Sequence, residues 1–373
     1  MRDLNKYKGC LVGGAVGDAL GYAVEFMSAD AIFKKYGENG ITEYDLRHGV
    51  AEISDDTQMT MFTATGLLVG TTRGMMRGIM GDYADYIALS YRDWYKTQTK
   101  NYPLSDEHLF SWLVNVPEMF GRRAPGNTCL SALAQGGSGT MGEPVNDSKG
   151  CGGVMRVAPI GLYFANGNHD KMQQTEIDLI GAKAAALTHG HELGYIPAAA
   201  LAHIISLLAK NDKISVLDAV ADSVVTMRKV FKETEHLRLF HKLMEKAADL
   251  AVSSDDDLDA IRQLGEGWVA EETLAIAVYC AIKYSDNFEK GIFAAVNHSG
   301  DSDSTGAVAG NILGAALGLD AIPQKFLDKL ELKDVILEIA EDLYHDCRIS
   351  EYGPGDELWE SKYFSMTYKR ENE

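Results

Sequence analysis

The sequence predicts an all-α protein, a compact bundle of long helices packed on one another. Apolar residues recur every three to four positions through most of the 373 residues, as they do along the buried face of a helix. Alternation of apolar and polar residues, the period of a strand, is almost absent. Because 46% of the residues are hydrophobic, the chain can bury a sizeable core. We expect a single domain that covers residues 1–373.

The first helices are indicated by small and apolar residues and by an acidic cap. Residues 7–26 carry such side chains at helical spacing, and Glu25, seven residues after Asp18, would share a helix face with it. Residues 57–69 follow an acidic cap, and aromatic side chains form the apolar stripe of residues 82–97. The glycines of the first helix would let a neighbouring helix approach closely: Gly13, Gly14, Gly17 and Gly21.

Further helical segments follow in the middle and at the end of the chain. Residues 172–189 are expected to form a helix with Gly190 as its C-terminal cap, and Pro197 is expected to open the next helix. Residues 154–164 are the one segment that resembles a strand, an interpretation that Pro159 weakens. The remaining helices are expected at 214–231, 235–252, 270–284, 305–317 and 331–345.

Charge and cysteine content limit the partners and the compartment. A formal net charge of −19 disfavours binding to nucleic acid or anionic lipid, because both are negatively charged. Five cysteines without a CxxC pair indicate reduced thiols in a cytoplasmic protein. Asp18 interrupts the apolar start, so we interpret that start as a helix of the mature protein and not as a signal peptide. We expect no membrane span, and a monomer is the working assumption.

Two acidic clusters, ISDDTQMTMF and NHSGDSDSTG, lie far apart in the sequence, and each precedes an apolar helical segment. One such cluster alone is typical of a helix N-cap, where side-chain oxygens accept hydrogen bonds from free backbone N–H groups. If the two helix starts meet, four carboxylates share one site, which is strongly unfavourable without cations. The candidate metal ligands are Ser54, Asp55, Asp56, Asp301, Asp303 and Ser304.

The oxygen-only donor set of these clusters selects hard ions. Mg²⁺ or Mn²⁺ fits it better than Zn²⁺, and Ca²⁺ is an alternative. Four aspartates and two serine hydroxyls are enough for two divalent cations, which could hold vicinal hydroxyls and make a bound water nucleophilic. Judged by spacing alone, Glu25 would be an ordinary residue at the solvated end of a packing helix.

Seven blocks, in the same order, resemble the ADP-ribosylglycohydrolase family, which includes the enzyme that reactivates dinitrogenase reductase. The resemblance covers residues 8–320 and implies an all-α orthogonal multi-helix bundle with a dinuclear Mg²⁺ or Mn²⁺ centre in a cleft. Residues 321–373 would add C-terminal helices packed on the same domain. The blocks are GAVGDALGYAVEF, ISDDTQMT, APGNTCLSAL, KGCGGVMRVAPIGL, ALTHGH, GWVAEETLAIAVYC and NHSGDSDSTGAVAGNILGA.

The resemblance also implies roles for single residues. It places the six residues of the acidic clusters on metal-ligand positions, and Glu25 on a carboxylate near the metals and the ribose. The candidates for catalysis are Glu25, Asp55, Asp56 and Asp303. Many relatives have Thr where this chain has Ser54 and Ser304, and the hydroxyl is kept. Relatives often carry Asn in place of Cys151, and a thiol cannot supply both the donor and the acceptor of an amide.

The expected contacts to ADP-ribose come from four of the other blocks. Backbone N–H groups of a glycine-rich loop and of a helix start would bind phosphate or ribose, although a plain turn and an N-cap are alternatives. Arg156 could bind an anion or pair with an acidic residue, His189 could contact the substrate or only end a helix, and Trp268 could stack on adenine or lie in the core. The candidates are Gly126, Asn127, Gly150, Gly152, Gly153, Met155, Arg156, His189 and Trp268.

The expected reaction is hydrolysis of the bond between ADP-ribose and an acceptor in an ADP-ribosylated protein, arginine nitrogen or serine oxygen. One of the four catalytic carboxyls would accept a proton as water attacks the ribose carbon, and neighbouring carboxylates would stabilise the positive charge that develops on the sugar. Two alternatives are open. The chain could hydrolyse another ribosyl or ADP-ribosyl conjugate, with a nucleobase or a small molecule, or it could be a non-catalytic member that binds ADP-ribose.

Overall fold

The computed structural model describes residues 3–105, 108–253, 256–350 and 352–370, and these residues form seventeen α-helices with no β-strand among them. The predicted all-α class is thereby confirmed. The first nine helices are α1 (Leu4–Tyr22), α2 (Ala29–Tyr36), α3 (Asp55–Arg77), α4 (Tyr83–Thr99), α5 (Asn127–Ala134), α6 (Ala158–Phe164), α7 (Gln174–Ala186), α8 (Glu192–Lys210) and α9 (Val216–Val230).

The second half of the chain adds eight helices around the same core. A contiguous group of buried apolar side chains runs from Tyr7 in α1 to Met366 near the end of the described chain. The expectation of one domain over residues 1–373 stays a prediction. The helices are α10 (Leu237–Ser253), α11 (Asp257–Leu264), α12 (Ala270–Lys283), α13 (Phe288–Val296), α14 (Ser302–Leu317), α15 (Gln324–Leu327), α16 (Lys333–His345) and α17 (Glu357–Tyr363).

Helices α1 and α14 form the closest helix pair, and glycines make this approach possible. A Cβ atom on Gly17 would lie 2.0 Å from the carbonyl oxygen of Gly306, and one on Gly310 would lie 2.0 Å from that of Gly13. Side chains larger than hydrogen are therefore excluded along this seam. The predicted role of the α1 glycines is correct, and the seam places the end of α1 beside the start of α14.

The end of α1 differs from the expectation. The helix ends at Tyr22, and the chain turns through residues 23–26, where Phe26 has a positive φ of 66°. Glu25 therefore lies in a turn beyond the helix, and its expected shared face with Asp18 is wrong. Just before this turn α1 meets α14, where a Cβ atom on Gly21 would lie 2.1 Å from the carbonyl oxygen of Ser302.

Residues 154–164 contain no strand, in agreement with the weight given to Pro159, which lies in the first turn of α6. Two further expectations about local structure are wrong. Helix α7 ends at Ala186 with Leu187 as its C-cap, and Gly190 instead donates its N–H to Asn146 Oδ1 at 3.2 Å. Pro197 lies inside α8, which starts earlier because the His191 side chain accepts the N–H of Leu193 at 3.0 Å.

Helix α8 is also the one helix among the described residues whose length and apolar composition would suffice to cross a membrane. Buried positions make up 89% of its apolar stretch, and it packs against α6, α7, α9 and α12. Burial in the protein core accounts for this composition.

Candidate metal-binding cleft

Two helix starts bring the acidic clusters together. Ser54 is the N-cap of α3, with Asp55 and Asp56 in its first turn, and Asp301 is the N-cap of α14, with Asp303 in its first turn. The contact between α1 and α14 fixes the start of α14 beside the end of α1, and the turn after α1 lies at the same place. Carboxylates from this turn, from the start of α3 and from the start of α14 therefore converge. Ligand oxygens of Glu25, Asp301 and Asp303 all lie within 4.8 Å of one another.

Asp18 of α1 adjoins this cluster on the side that faces the protein core, where its side chain is fully buried. Its carboxylate accepts the N–H of Ser54 at 3.0 Å, the N–H of Thr57 at 3.1 Å and the hydroxyl of Thr57 at 2.5 Å. These bonds satisfy free donors at the start of α3. Asp18 therefore fixes the position of Asp55 and Asp56 relative to α1.

The electrostatics of the cluster are unfavourable in the protein alone. Burial raises the pKa of Asp55, Asp56 and Asp301 well above the usual range of a carboxyl group, and the nearby Asp303 adds to the effect. Burial, followed by Asp303, raises the pKa of Glu25 to about 10, and the same two causes raise that of Asp18 to about 7. Each shift means that the charged form lacks a compensating positive charge.

Several oxygens of the cluster accept no hydrogen bond from the described residues: Glu25 Oε2, Asp56 Oδ1 and Asp301 Oδ2 are buried and without a partner. A buried carboxylate oxygen of this kind is costly unless a cation or a donor reaches it. The donors are all oxygens, which suits hard divalent ions such as Mg²⁺ and Mn²⁺. The residues present therefore fit a divalent-metal centre, and the six predicted ligands stay a prediction.

The cluster forms the floor of a cleft of about 720 Å³. Beside Asp55, the start of α5 borders the cleft with Gly126 and Asn127, and the N–H of Gly126 donates to Asp55 Oδ2 at 3.2 Å. This volume suits a nucleotide-sized ligand. The free N–H groups at the start of α5 can face an anion there.

In the glycine-rich loop of residues 150–153, two glycines line the cleft and one does not. Gly150 and Gly152 border the cleft, and a Cβ atom on Gly152 would lie 2.8 Å from Cys129 Sγ and 2.9 Å from His189 Cε1. Gly153 lies behind them, where its Cβ atom would meet the carbonyl oxygen of Gly194 at 2.8 Å. Its predicted contact with substrate is therefore not supported by its position.

Cys151, between these glycines, lines the cleft beside the acidic cluster. Its thiol contacts Asp301 and Ser304, and burial raises its pKa well above the usual value, with Asp301 adding to the effect. The thiol is thus a neutral neighbour of two predicted metal ligands. Met155, another predicted substrate contact, also lines the cleft.

Arg156 is the clearest difference between expectation and structure. It is fully buried, and its guanidinium donates to the carbonyl of Ala184 at 3.1 Å and to the hydroxyl of Thr188 at 2.7 Å, over the ring of Tyr91. It neither lines the cleft nor pairs with a carboxylate, so both expected roles are wrong. It acts on the cleft through Thr188, whose hydroxyl lies 2.8 Å from Nδ1 of His189.

His189 lines the cleft, although it is only 2% exposed, and its expected contact with the substrate stays a prediction. Burial, with a smaller effect from Arg156, lowers its pKa to about 3. The ring is therefore neutral at physiological pH, and it can donate or accept one hydrogen bond in the cleft.

Trp268 does not lie in the core, which was the alternative to a substrate contact. It is 37% exposed and stacks on Phe26, with ring centroids 5.5 Å apart and an interplanar angle of 19°. Both rings line the cleft, and Phe26 directly follows Glu25. The aromatic pair therefore stands beside the acidic cluster, at one end of the cleft.

Sequence reasoning missed three residues of this site: the supporting role of Asp18, the ring of Phe26 and the guanidinium of Arg122, which lines the cleft. Each lies in or next to a recognised block, so position alone could have suggested them. Their roles depend on side-chain direction, which the blocks do not reveal.

Comparison with known proteins identifies the family of this chain. A sequence model of the family described as ADP-ribosylglycohydrolase matches residues 1–352. The ADP-ribosyl-(dinitrogen reductase) glycohydrolase of Rhodospirillum rubrum is 26% identical over 329 residues, which cover 87% of this chain and 90% of that protein. The ADP-ribosylarginine hydrolase Tri1 of Serratia proteamaculans is 25% identical over 347 residues, which cover 92% of this chain and 80% of that protein.

A solved structure described as an ADP-ribosylglycohydrolase-related protein complex shares the fold. It superposes with a TM-score of 0.60 at 24% identity and covers 92% of this chain and 98% of that chain. Together with the match of the family model over residues 1–352, this confirms the resemblance of the sequence blocks. The chain belongs to the ADP-ribosylglycohydrolase family.

Proposed function

We propose that this protein is a divalent-metal-dependent hydrolase that releases ADP-ribose from an ADP-ribosylated protein. The observation that carries the proposal is the convergence of Glu25, Asp301 and Asp303 within 4.8 Å, in the floor of a nucleotide-sized cleft. A protein that only bound ADP-ribose would have no need for so many uncompensated buried carboxylates at the ribose end.

Two cations, Mg²⁺ or Mn²⁺, would be held by Asp55 and Asp56 at the start of α3 and by Asp301 and Asp303 at the start of α14. The hydroxyls of Ser54 and Ser304 would complete the donor set. Bound there, the cations would orient the vicinal hydroxyls of the ribose and lower the pKa of a water molecule. The unpartnered oxygens of Asp56 and Asp301 are the support for this assignment.

The rest of ADP-ribose would extend from the metal end towards the start of α5. There the N–H group of Asn127, the loop with Gly150 and Gly152, and the guanidinium of Arg122 can bind the diphosphate. These groups supply the positive potential that a chain with a net charge of −19 otherwise lacks. The neutral ring of His189 can contribute a further hydrogen bond.

Glu25 is the carboxyl that we assign to proton transfer. It lies in a turn and is only partly buried, whereas Asp55, Asp56, Asp301 and Asp303, which also border the cleft, are buried. It can thus reach a water molecule or a departing group at the ribose carbon. The buried aspartates would stabilise the positive charge that develops on the sugar ring.

The aromatic pair of Phe26 and Trp268 favours a planar acceptor. Because the pair stands beside Glu25, it borders the bond to be cleaved and not the adenine end of the cleft. A guanidinium group stacks well on an aromatic face, and a serine hydroxyl does not. We therefore propose arginine-linked ADP-ribose as the first substrate, which agrees with the activity named for the Serratia relative. A nucleobase conjugate is the second candidate on the same ground.

The test presents arginine-, serine- and nucleobase-linked ADP-ribose side by side, with and without Mn²⁺, and measures free ADP-ribose. We expect release from the arginine conjugate in the presence of Mn²⁺, with Asp303→Asn inactive but folded. Full activity of Asp303→Asn, or of protein stripped of divalent ions, would refute the metal mechanism. Release from the serine conjugate alone would refute the assignment of the acceptor.

We also propose that the protein works in the cytoplasm, because all five cysteines are free thiols.

A further inference from the structure

A second concave site lies where α9 and α10 meet, away from the cleft. It is a groove of about 460 Å³, and four cationic side chains line it. Arg228 comes from α9, Lys232 follows the end of that helix, and Arg238 and Lys242 lie four residues apart on α10, which places them on one helix face. We call this site the cationic groove. None of its residues lines the metal-binding cleft.

The charge of the cationic groove is opposite to that of the chain as a whole. Two carboxylates, Glu235 and Glu245, border the groove, so its lining has more cations than anions in a protein of net charge −19. Glu245 pairs with Arg228 at 3.2 Å. Among the residues that the structure describes, no carboxylate pairs with Arg238 or Lys242, so like charges converge without compensation.

His241 positions one of the cations of this groove. It is 6% exposed, and its Nδ1 accepts the Nε–H of Arg228 at 3.2 Å. Because Nδ1 acts as an acceptor, the neutral ring carries its proton on Nε2. This Nε2 is buried and has no partner among the described residues. The arrangement also fixes Arg228 in place, between His241 and Glu245.

We propose that the cationic groove binds a small ligand with two or more phosphate charges, such as a diphosphate. Two guanidinium groups offer paired N–H donors that match phosphate oxygens, and two ammonium groups supply point charge. His241 holds one of the guanidinium groups, that of Arg228, in place. The volume of about 460 Å³ suits a small molecule and not a folded partner. The site is independent of the metal-binding cleft, so it does not rest on the function proposed above.

The test measures binding of inorganic pyrophosphate by calorimetry to the full-length protein in buffer without divalent ions. The Arg238→Ala/Lys242→Ala variant removes two cations of the groove, both exposed on α10, so the fold is expected to survive. The matched control is Lys213→Ala/Lys229→Ala, which removes the same charge from exposed positions outside the groove. We expect the groove variant to bind at least about tenfold more weakly than the control.

His241→Phe supplies a second variant, which keeps an aromatic side chain at this position and removes both nitrogens of the imidazole ring. We expect its affinity for pyrophosphate to fall, with circular dichroism unchanged. Equal affinity of the groove variant and its control, or no binding of pyrophosphate by the wild-type protein, would overturn the proposal. Binding of a polyglutamate peptide that depends on Arg238 and Lys242, without binding of pyrophosphate, would instead assign the groove to acidic protein segments and would also overturn it.

Discussion

Both carboxylate oxygens of Asp18 accept the backbone N–H of Ser54, each at 3.0 Å. This bond connects the C-terminal part of α1 to the start of α3, and the glycine seam connects the same helix to α14. One helix therefore holds both halves of the acidic cluster in register. The positions of the predicted metal ligands therefore depend on Asp18 and on the α1 glycines, which lie in the core behind the cleft and would not touch a substrate.

Asp18→Asn tests this supporting role. The amide keeps the shape of the side chain but loses one acceptor oxygen, so a buried donor at the start of α3 loses its partner. We expect the free energy of unfolding to fall by about 1–3 kcal/mol, and the stabilisation by Mn²⁺ to become smaller. Urea denaturation with and without Mn²⁺ measures both effects. Asp30→Asn, at an exposed position of α2, is the control and should change neither. An unchanged response to Mn²⁺ in Asp18→Asn would contradict the supporting role.

Gly17→Ala tests the seam between α1 and α14. The added methyl group would lie 2.0 Å from the carbonyl oxygen of Gly306, so the two helices must separate. We expect a loss of about 3 kcal/mol or more in the free energy of unfolding. Gly142→Ala, where an added Cβ meets nothing within 4 Å, should be nearly neutral. Thermal or urea denaturation of both variants measures this difference. Equal stability of the two variants would contradict a close contact between α1 and α14 at Gly17.

The pH dependence of stability in protein without divalent ions follows from the raised carboxyl pKa values. The pKa of Asp18 is raised from 3.8 to about 7 and that of Glu25 from 4.5 to about 10, so the folded state holds protons that the unfolded chain has lost. Since the folded state binds more protons, the free energy of unfolding should fall as pH rises from about 4 to 7 for Asp18, and on towards 10 for Glu25, by up to about 1.4 kcal/mol per pH unit for each proton.

Saturating Mn²⁺ is expected to reduce this fall in the free energy of unfolding with pH. Bound cations favour the charged carboxylates, so the folded state no longer holds the extra protons. The measurement is urea denaturation at several pH values, with chelator and with Mn²⁺. Stability that rises with pH over this window in the chelator series would contradict the account of an uncompensated carboxylate cluster.

Trp268→Ala tests the aromatic pair. Without the indole, Phe26 loses its stacking partner and the acceptor loses one face, so we expect KM for the arginine conjugate to rise about tenfold with a smaller change in kcat. Trp268→Phe should restore much of the affinity, and Tyr352→Ala, at a position that is 92% exposed, should have no effect. An unchanged KM in Trp268→Ala would show that the pair does not contact the substrate.

The parts of this structure that sequence could predict are those set by local chemistry. Helical periodicity predicts the fold class, and the clusters around Asp55 and Asp303 predict helix starts with excess carboxylate, because both features depend on residues close together in the chain. The glycine pattern likewise predicts a close helix contact. What the sequence could not supply is the partner of each feature, such as α14 for α1.

The residues whose predicted location is wrong show the same limit of sequence-based prediction. Arg156 belongs to a recognised block, yet its guanidinium reaches Ala184 and Thr188 in the core, since the packing of α7 decides its direction. Glu25 lies in the turn after α1, next to the point where α14 approaches Gly21, a contact almost three hundred residues away in sequence. In both cases tertiary packing, and not local pattern, decides which side chains face the cleft.

The most direct test of the central claim measures bound Mn²⁺ and ADP-ribose release on the same samples of protein. Metal-stripped protein is titrated with Mn²⁺, and wild type is compared with Asp301→Ala and Asp303→Asn. We expect two ions per chain in the wild type, release of ADP-ribose that rises with their binding, and loss of both in the variants while the helical signal is retained. Full release by protein without bound metal, or by either variant, would contradict the claim that this carboxylate cluster is a catalytic metal centre.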